Sequence, residues 1–478
     1  MAWGIGLVIA IVTIAAGRNY AGSMWIYLMF SLLVNLLLAN GFRQRALYFD
    51  TFIGIFLWLG FWLKLTAKLL PHEAGFQDAL SFDRTPAAYD HALIVSCVGF
   101  AGFMVATSLR KRFFAYPGTP STCKTSDLFQ VYSRYRKYAI GAFLMLVVGV
   151  AVTNAWLGVY QRGMIARTML PLGLGGIYSW LLQFGLTSIA TLIVRFEMEI
   201  RQDLSLPAIA AALIEPFLSN VSLLSRGMVV SVAALACGVW RHTMALKFRM
   251  PFSRLLAIGV AFLILFAASV VTVNALRART YASLGDLNSL NLGDLNSLKV
   301  LKEHAESVQH MTTPLFIERW VGIEGVVAVS SSNKLGWDLW SRAWKERIQY
   351  GVRSIYDNEF IDTPYTENRS GEGLHFVSLP GAIAFLFYPG SLLFLFAATM
   401  SCGIVGATLE VGAYRYGGGN WIFCALVGEV VAYRFAHFGY VPAQSYLLFG
   451  AVAFNIALFF FAEKLTGIAL KLGKHGDA

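Results

Sequence analysis

The stretch LLAIGVAFLILFAASVVTVNAL fills residues 255–276 without a charged side chain. The hydrocarbon core of a bilayer is about 30 Å thick, so a helix needs about 20 mostly apolar residues to cross it. Lipid offers no hydrogen-bond partners, and a helix satisfies its backbone N–H and C=O groups internally. The stretch therefore predicts a membrane-spanning α-helix.

The composition extends this prediction to most of the 478 residues. Hydrophobic residues make up 57% of the chain, charged residues make up 14%, and the mean hydropathy is +0.60. Soluble domains carry about 25% charged residues, so this chain has too little polar surface to cover soluble domains. We therefore exclude a soluble enzyme, a disordered interaction protein and a nucleic-acid binder. The spacing of the five cysteines indicates neither a metal site nor a disulfide framework.

Twelve segments are long and apolar enough to be candidate spans, which predicts an all-α polytopic membrane protein. They cover residues 2–17, 24–41, 49–70, 92–109, 138–158, 169–194, 204–224, 226–242, 254–276, 374–412, 419–438 and 444–463. The tenth segment is too long for one straight helix, and Pro389-Gly390 interrupts it. We expect a kink or a re-entrant piece there.

Lys and Arg residues concentrate in alternate connections between these segments. The second, fourth and eighth connections and the C-terminus are basic, whereas the third connection is net acidic. Cytoplasmic connections of membrane proteins carry the excess of Lys and Arg. We therefore predict that both termini are cytoplasmic and that the odd-numbered connections lie outside.

The ninth connection, residues 277–373, is much longer than the other external connections. It divides the chain into residues 1–276 with nine spans, the connection itself, and residues 374–478 with three spans and a cytoplasmic C-terminus. Long loops are usually functional or disordered, and the tryptophans here favour order. Residues 335–350 place tryptophans at helical spacing, which predicts an amphipathic helix. That helix lies either on the outer membrane interface or on a small core of the connection itself.

Arginines in external connections run against the charge bias that sets the topology. Arg162 and Arg167 occupy the fifth connection, which contains no acidic residue, and Arg226 occupies the short turn between the seventh and eighth spans. A charge inside the membrane is costly unless it faces a partner or a wet cavity. Arginine presents a planar fork that suits phosphate oxygens, so these three residues are candidates for an anion site. The alternative is that they are ordinary snorkelling arginines at helix ends.

The large connection contributes five more candidates. Arg319 and Glu324 flank a segment with small residues that allow close backbone approach, and an Arg–Glu pair of purely structural role is the simplest account of them. Arg369, Glu372 and His375 lie where the chain re-enters the membrane. A helix N-terminus at that point would present N–H groups to an anion, and a histidine titrates near neutrality.

The eleventh span carries Glu429, Arg434 and His437. Glu429 and Arg434 are five residues apart and do not share a helix face well, whereas Arg434 and His437 are three apart and do. Arg434 and His437 lie near the predicted outer end of the span. They either join the same site or anchor that helix at the interface.

The plan of about twelve spans with one large external connection late in the chain resembles the bacterial Wzy-type O-antigen polymerases. These enzymes polymerise lipid-linked oligosaccharides and share a superfamily with the O-antigen ligases. In that family, arginine-bearing third and fifth external connections are implicated in substrate handling. Here these are the connection with Arg162 and Arg167 and the connection with Arg319 and Arg369. The turn Ser225-Arg226-Gly227 also looks like a Ser-Arg-Gly element common in such polymerases.

The resemblance implies glycosyl transfer at the outer face of a bacterial inner membrane. A growing glycan would leave its polyprenyl-pyrophosphate carrier and join the sugar end of a new lipid-linked repeat unit. Positioned arginines would stabilise charge that develops on the departing pyrophosphate, and a general base would accept the proton of the acceptor hydroxyl. The candidate substrate-binding residues are Arg162, Arg167, Arg226, Arg319, Arg369, Arg434 and His437, and the candidate bases are Glu324, Glu372 and His375.

The same resemblance implies no metal and no cofactor, because arginines can neutralise the pyrophosphate and the donor itself supplies the energy. The expected partners are the polyprenyl-pyrophosphate-linked oligosaccharide, the lipid bilayer and a protein that regulates chain length, with no nucleic acid among them.

Three alternatives stay open. An O-antigen ligase would share the fold and chemistry but transfer glycan to a lipid A core. A polyprenyl-phosphate-sugar glycosyltransferase usually shows acidic residues in its first external connection, which here reads Arg18-Asn19-Tyr20 without an acid. A flippase or secondary transporter would line a path for an anionic glycolipid with arginines, but transporters commonly show two similar halves, and this sequence does not.

Overall fold

The computed structural model describes residues 2–70, 79–117, 126–225, 227–246, 252–285, 319–349, 352–361 and 377–476. Within these ranges the protein is all-helical, with no β-strand and one isolated antiparallel bridge between Ala79 and Ile361. Nine helices in the same ranges are long and apolar enough to cross a membrane. The prediction of an all-α polytopic membrane protein is confirmed.

The first nine predicted spans correspond to nine helical segments. These are α1 (Ala2–Gly17), α2 (Met24–Gly41), α3 (Tyr48–Leu69), α4 (Pro86–Arg110), α5 (Asp127–Leu157), α6 (Pro171–Arg201), α7 (Leu206–Ser222), α8 (Met228–Leu246) and α9 (Phe252–Gly285). Segments α3 and α6 each contain a π-helical turn, at Trp58–Leu63 and Leu181–Gly185. Helix α9 continues to Gly285, past the predicted boundary at residue 276.

The remaining helices belong to the large connection and the C-terminal third of the chain. The connection contains α10 (Ile323–Ser330), α11 (Trp337–Trp344) and α12 (Ile355–Glu359), and it is followed by α13 (Ala382–Leu386), α14 (Leu392–Tyr416), α15 (Trp421–Ala436) and α16 (Ser445–Gly476). The predicted interruption at Pro389-Gly390 is confirmed, because α13 ends and α14 begins on either side of it. Gly390 has φ +75°, a left-handed conformation that glycine adopts easily.

Helix α15 lies at the centre of the bundle and is buried on nearly all sides. Its residues from Trp421 to Val427 are each at most 4% exposed. It packs against α3, α8 and α14, and Gly428 allows the backbone at Tyr48 and Phe49 to approach closely. Peripheral helices instead expose large apolar side chains, as a lipid-facing surface requires; examples are Leu7, Trp156, Val271 and Leu465.

The odd-numbered connections meet at one end of the bundle, here called the loop end. Hydrogen bonds join these connections or the residues directly beside them: Asn19 to Leu69, Arg162 to Leu223 and Gly381 to Phe438, over 2.9–3.0 Å. The even-numbered connections meet at the other end, here called the termini end, where Arg241 donates to the Ala46 carbonyl over 2.9 Å. These contacts agree with spans that alternate in direction, and which end faces the cytoplasm stays a prediction.

Part of the large connection is inserted among the membrane helices at the loop end. Helix α10 packs on α4 and α13, and five of its residues, Ile323, Val326, Val327, Ala328 and Val329, are at most 2% exposed. A Cβ on Gly325 would overlap the Pro380 carbonyl oxygen, and a Cβ on Gly322 would overlap the backbone of Gly60 in the π-helical turn of α3. The predicted close backbone approach of these small residues is confirmed.

The predicted amphipathic helix is confirmed over Trp337–Trp344, which is shorter than the predicted 335–350. Its buried residues are Leu339 and Ala343, while Trp337 is 58% exposed. Trp340 packs on Phe385 and Phe394, with ring centroids 4.9 and 5.1 Å away. The helix thus packs on α13 and α14 rather than on a separate core of the connection.

Candidate functional site

A buried asparagine organises the loop end around the fifth and seventh connections. Asn154 is fully buried, and its amide donates to the carbonyl oxygens of Tyr160 and Ser222 over 3.0 and 3.1 Å. The Tyr160 N–H returns a hydrogen bond to Asn154 Oδ1 over 2.9 Å. The backbone N–H of Arg162 then donates to the Leu223 carbonyl over 3.0 Å. These bonds hold Arg162 beside the turn that follows α7.

That turn is built from local hydrogen bonds and one uncommon backbone conformation. Leu224 has φ +52°, a region that non-glycine residues rarely occupy and that often marks a functional site. The Ser225 N–H donates to the Asn220 carbonyl over 2.8 Å, and the Gly227 N–H donates to Ser225 Oγ over 3.1 Å. The Arg277 Nε on α9 donates to the Leu224 carbonyl over 2.9 Å. The turn is therefore fixed next to two arginines.

Three guanidinium groups come together at this point. The Arg319 side chain keeps a solvent-exposed surface although protein surrounds much of it. This desolvation lowers the pKa of Arg319; Tyr433 opposes the shift, and the positive charges of Arg162 and Arg277 add to it. The charges of Arg162 and Arg277 thus reach Arg319, and the three residues belong to one positively charged region. Such a cluster stabilises a multiply charged anion that is placed between its members.

An aromatic wall and a histidine adjoin the three arginines. The Tyr433 and His437 rings stack with centroids 4.0 Å apart, and Phe56 contacts His437 and Trp320, with centroids at 6.4 and 6.0 Å. His437 Nδ1 lies 3.1 Å from the Tyr433 carbonyl oxygen. The charges of Arg319, Arg162 and Arg434 all act on the His437 ring. The structure therefore brings His437 together with Arg162 and Arg319, as the shared-site hypothesis expects.

Glu429 lies deeper, on the buried face of α15. Its side chain is 4% exposed, and the charge of Arg162 acts on its carboxyl group. Arg434 instead donates to Ser445 Oγ through Nε and Nη2 over 3.0 and 2.9 Å. The two residues thus have different neighbours, which agrees with the expectation that they do not share a helix face.

Two of the predicted ligand arginines have structural contacts. Arg167 Nη2 donates to the Ala155 carbonyl in the last turn of α5 over 3.0 Å, and its guanidinium packs over Gly158. A cation at this position satisfies and stabilises the C-terminal carbonyls of a helix. The Arg434 bonds to Ser445 connect α15 to α16. Their roles as substrate ligands stay predictions.

Glu324 is held by two lysines from α3. Lys64 and Lys68 reach its two carboxylate oxygens over 2.5 and 2.6 Å, and Lys64 also donates to the Trp320 carbonyl over 3.0 Å. Burial raises the pKa of Glu324, but Lys64 and then Lys68 more than offset this, so its pKa lies below the ordinary value. Glu324 is therefore a weak proton acceptor that attaches the large connection to α3. Its role as a general base stays a prediction.

Four candidates lie outside the described residues. They are Arg226, Arg369, Glu372 and His375. Both flanking residues of Arg226 belong to the described part of the chain, and the Gly227 Cα is positioned so that a Cβ would lie 3.9 Å from Arg162 Nη1.

Sequence reasoning did not select Arg277, Tyr433 or Lys64 for the site region. Arg277 begins the large external connection. It is thus an external arginine against the charge bias, the same signal that singles out Arg162. Lys64 lies inside a predicted span, where an ionisable side chain indicates a partner. Tyr433 carries no such signal, because one aromatic residue in an apolar span is ordinary.

Comparison of the chain with protein-family models, with curated proteins and with solved structures finds no match.

Proposed function

We propose that the protein polymerises lipid-linked oligosaccharide repeat units at the outer face of a bacterial inner membrane. The observation that carries the proposal is the convergence of Arg162, Arg277 and Arg319 at the loop end, beside His437. Three arginines in one region give it a positive potential, which suits a polyanionic ligand. A polyprenyl pyrophosphate carries multiple negative charges on its head and an apolar tail that the surrounding bilayer accommodates.

The reaction that suits this arrangement is displacement at the anomeric carbon of the growing glycan. The hydroxyl oxygen of a new repeat unit forms a bond to that carbon, and the bond from the carbon to the pyrophosphate oxygen breaks. The bonding electrons leave with the polyprenyl pyrophosphate, where arginines offset the charge that develops. The hydroxyl proton passes to a general base. Glu372 and His375 stay the preferred candidates, because its lysine pairs make Glu324 a weak proton acceptor.

Removal of the Arg319 or Arg162 guanidinium tests the proposal. We expect Arg319→Ala and Arg162→Ala to lower polymerisation about 100- to 1000-fold, as the loss of one charge-stabilising group typically does. Lysine at either position should rescue only in part, because an ammonium lacks the planar fork. The measurement is the length distribution of surface glycan, separated as a ladder, with membrane abundance of each variant checked by immunoblot.

Arg342→Ala is the matched control. Arg342 also lies at the loop end but is 53% exposed and pairs with Asp338 and Glu359, so its loss should leave the ladder unchanged. Loss of long chains with single-repeat species retained supports a polymerase. Loss of all external lipid-linked glycan would indicate a flippase, and long lipid-linked chains that fail to reach a lipid A core would indicate a ligase. Normal ladders from both Arg→Ala variants would remove the site assignment.

A further inference from the structure

A basic cavity opens at the termini end, away from the arginine cluster. It has a volume of about 490 Å³ and lies where the ends of α5, α6, α14 and α16 meet. Arg195, Arg415 and Lys464 line it, together with the glycine turn 417–419 and the acid Glu463. The sequence shows this turn as Gly-Gly-Gly after Arg415-Tyr416, and nothing in the proposed function uses it.

The glycine turn ends α14 and forms part of the cavity wall. Gly418 and Gly419 have φ +69° and +68°, a region favoured by glycine. The N–H groups of Gly417 and Gly419 donate to the carbonyls of Ala413 and Tyr414 over 2.8 and 2.9 Å. Arg195 Nη1 donates to the Gly418 carbonyl over 2.8 Å, and Arg195 Nε lies 3.6 Å from Glu199 Oε1. Arg195 thus positions the turn.

The one acid that lines the cavity is already satisfied. Glu463 accepts hydrogen bonds from Ser126 Oγ and the Asp127 N–H over 2.8 Å and from the Leu128 N–H over 3.2 Å. These donors form the N-terminus of α5, where the helix dipole offsets a negative charge. Arg415 and Lys464 form no ion pair with any residue that the structure describes. The cavity therefore keeps a positive potential.

Apolar side chains complete the cavity beside the basic ones. Leu192, Phe196, Phe459 and Phe460 line it, and Phe460 packs edge-on against Tyr416 with centroids 6.0 Å apart. On α16 the neighbouring Phe461 and Leu465 are 59% and 65% exposed and form part of the apolar outer surface. The site thus offers cations for a headgroup and an apolar wall that continues towards lipid. Basic pockets between membrane helices characteristically bind the headgroups of anionic lipids.

We propose that this cavity binds a phosphate group at the termini end, through Arg415 and Lys464, and that the apolar wall favours a phosphate carried by a lipid. The inference is independent of the polymerase proposal, because it concerns the opposite end of the bundle. Its ligand has the chemistry of a phosphate diester or monoester, and the two sources are an anionic phospholipid and free phosphate.

Binding to the purified full-length protein tests this inference. The probes are fluorescent phosphatidylglycerol in detergent micelles, phosphatidylcholine of the same chain length, and inorganic phosphate as competitor. We expect phosphatidylglycerol to bind more tightly than phosphatidylcholine, and the double variant Arg415→Gln/Lys464→Gln to weaken that binding about thirtyfold, since each cation near a lipid surface contributes about a fivefold factor. Thermal unfolding confirms that the variants remain folded.

Lys471→Gln is the matched control. It removes one positive charge from the same helix, and Lys471 does not line the cavity, so binding should change less than about twofold. Displacement of phosphatidylglycerol by millimolar inorganic phosphate would assign the site to free phosphate, which retains the phosphate site and removes the lipid preference. Equal binding by the double variant and Lys471→Gln would overturn the proposal.

Discussion

At the scale of single residues, the loop end contains two kinds of charge. Glu324 forms ion pairs with Lys64 and Lys68 and attaches the large connection to α3. Arg162 and Arg277 instead act on Arg319 with charges of the same sign as its own. A region where like charges gather and shift a pKa is a candidate ligand site.

The Glu324 ion pairs give a prediction for pH dependence. The folded-state pKa of Glu324 lies below the ordinary carboxyl pKa. The ionised carboxylate therefore stabilises the fold at any pH above that ordinary pKa. This contribution is lost as the pH falls through the folded-state pKa. We expect the thermal stability of the wild type to fall more than that of Glu324→Gln between about pH 7 and about pH 3.

The same substitution distinguishes a structural Glu324 from a catalytic one. At neutral pH, Glu324→Gln should destabilise the protein by about 1–3 kcal/mol, less than the 3–5 kcal/mol of a fully buried pair, because the carboxylate is 39% exposed. Glu359→Gln, which breaks exposed pairs with Lys334 and Arg342, should cost less than about 1 kcal/mol. Abolished polymerisation at unchanged stability would instead identify Glu324 as the base.

At the scale of elements, close packing depends on glycines at helix crossings. Gly325 on α10 faces the Pro380 carbonyl without room for a Cβ. Gly325→Ala should therefore force α10 away from α13 and destabilise the protein by about 1–3 kcal/mol. Thermal unfolding of the purified protein measures this effect.

Gly259→Ala on α9 is the comparison for that experiment. Gly259 also lies inside a helix, and nothing lies within 4 Å of a Cβ placed there. Since alanine is the better helix former by about 1 kcal/mol, this variant should be as stable as the wild type or more so. If Gly325→Ala left the thermal stability equally unchanged, the inference that α10 packs tightly at Gly325 would be wrong.

Hydropathy predicted the elements well and their arrangement poorly. The twelve apolar segments and the break at Pro389-Gly390 follow from composition and from backbone chemistry. The insertion of Ile323–Ser330 among the membrane helices does not, because eight apolar residues are too few to read as a span. Hydropathy also does not indicate that α15 occupies the centre of the bundle and α9 does not. Lipid and the protein interior are both apolar, so an apolar helix fits either environment.

The site was predictable to a similar degree. Charge bias alone selected Arg162 and Arg319, which the fold brings together. Charge bias also selected Arg167, which instead contacts the Ala155 carbonyl. That contact depends on the way in which α5 ends, and sequence spacing does not reveal it. The placement of Arg277 near Arg162 required knowledge that α9 passes beside the turn at Leu224.

At the scale of the whole molecule, the two ends of the bundle should face different compartments. The termini end collects the basic even-numbered connections, which predicts that it faces the cytoplasm. In a variant without native cysteines, Ala166→Cys should react with a membrane-impermeant maleimide in intact cells. Gln44→Cys should react only after permeabilisation. Both positions are exposed. The reverse pattern would turn the arginine cluster towards the cytoplasm and contradict an external reaction.

The burial of α15 also has a consequence for how the protein is made. The ribosome releases this segment after α3 and α8, yet it ends between them, with scarcely any side chain touching lipid. The earlier segments must therefore leave the translocon without closing on each other, and keep a gap open until residues 421–436 arrive. A chain that stalls before that point would expose its unfilled interior to the membrane, where quality-control proteases that sense loosely packed helices could recognise it.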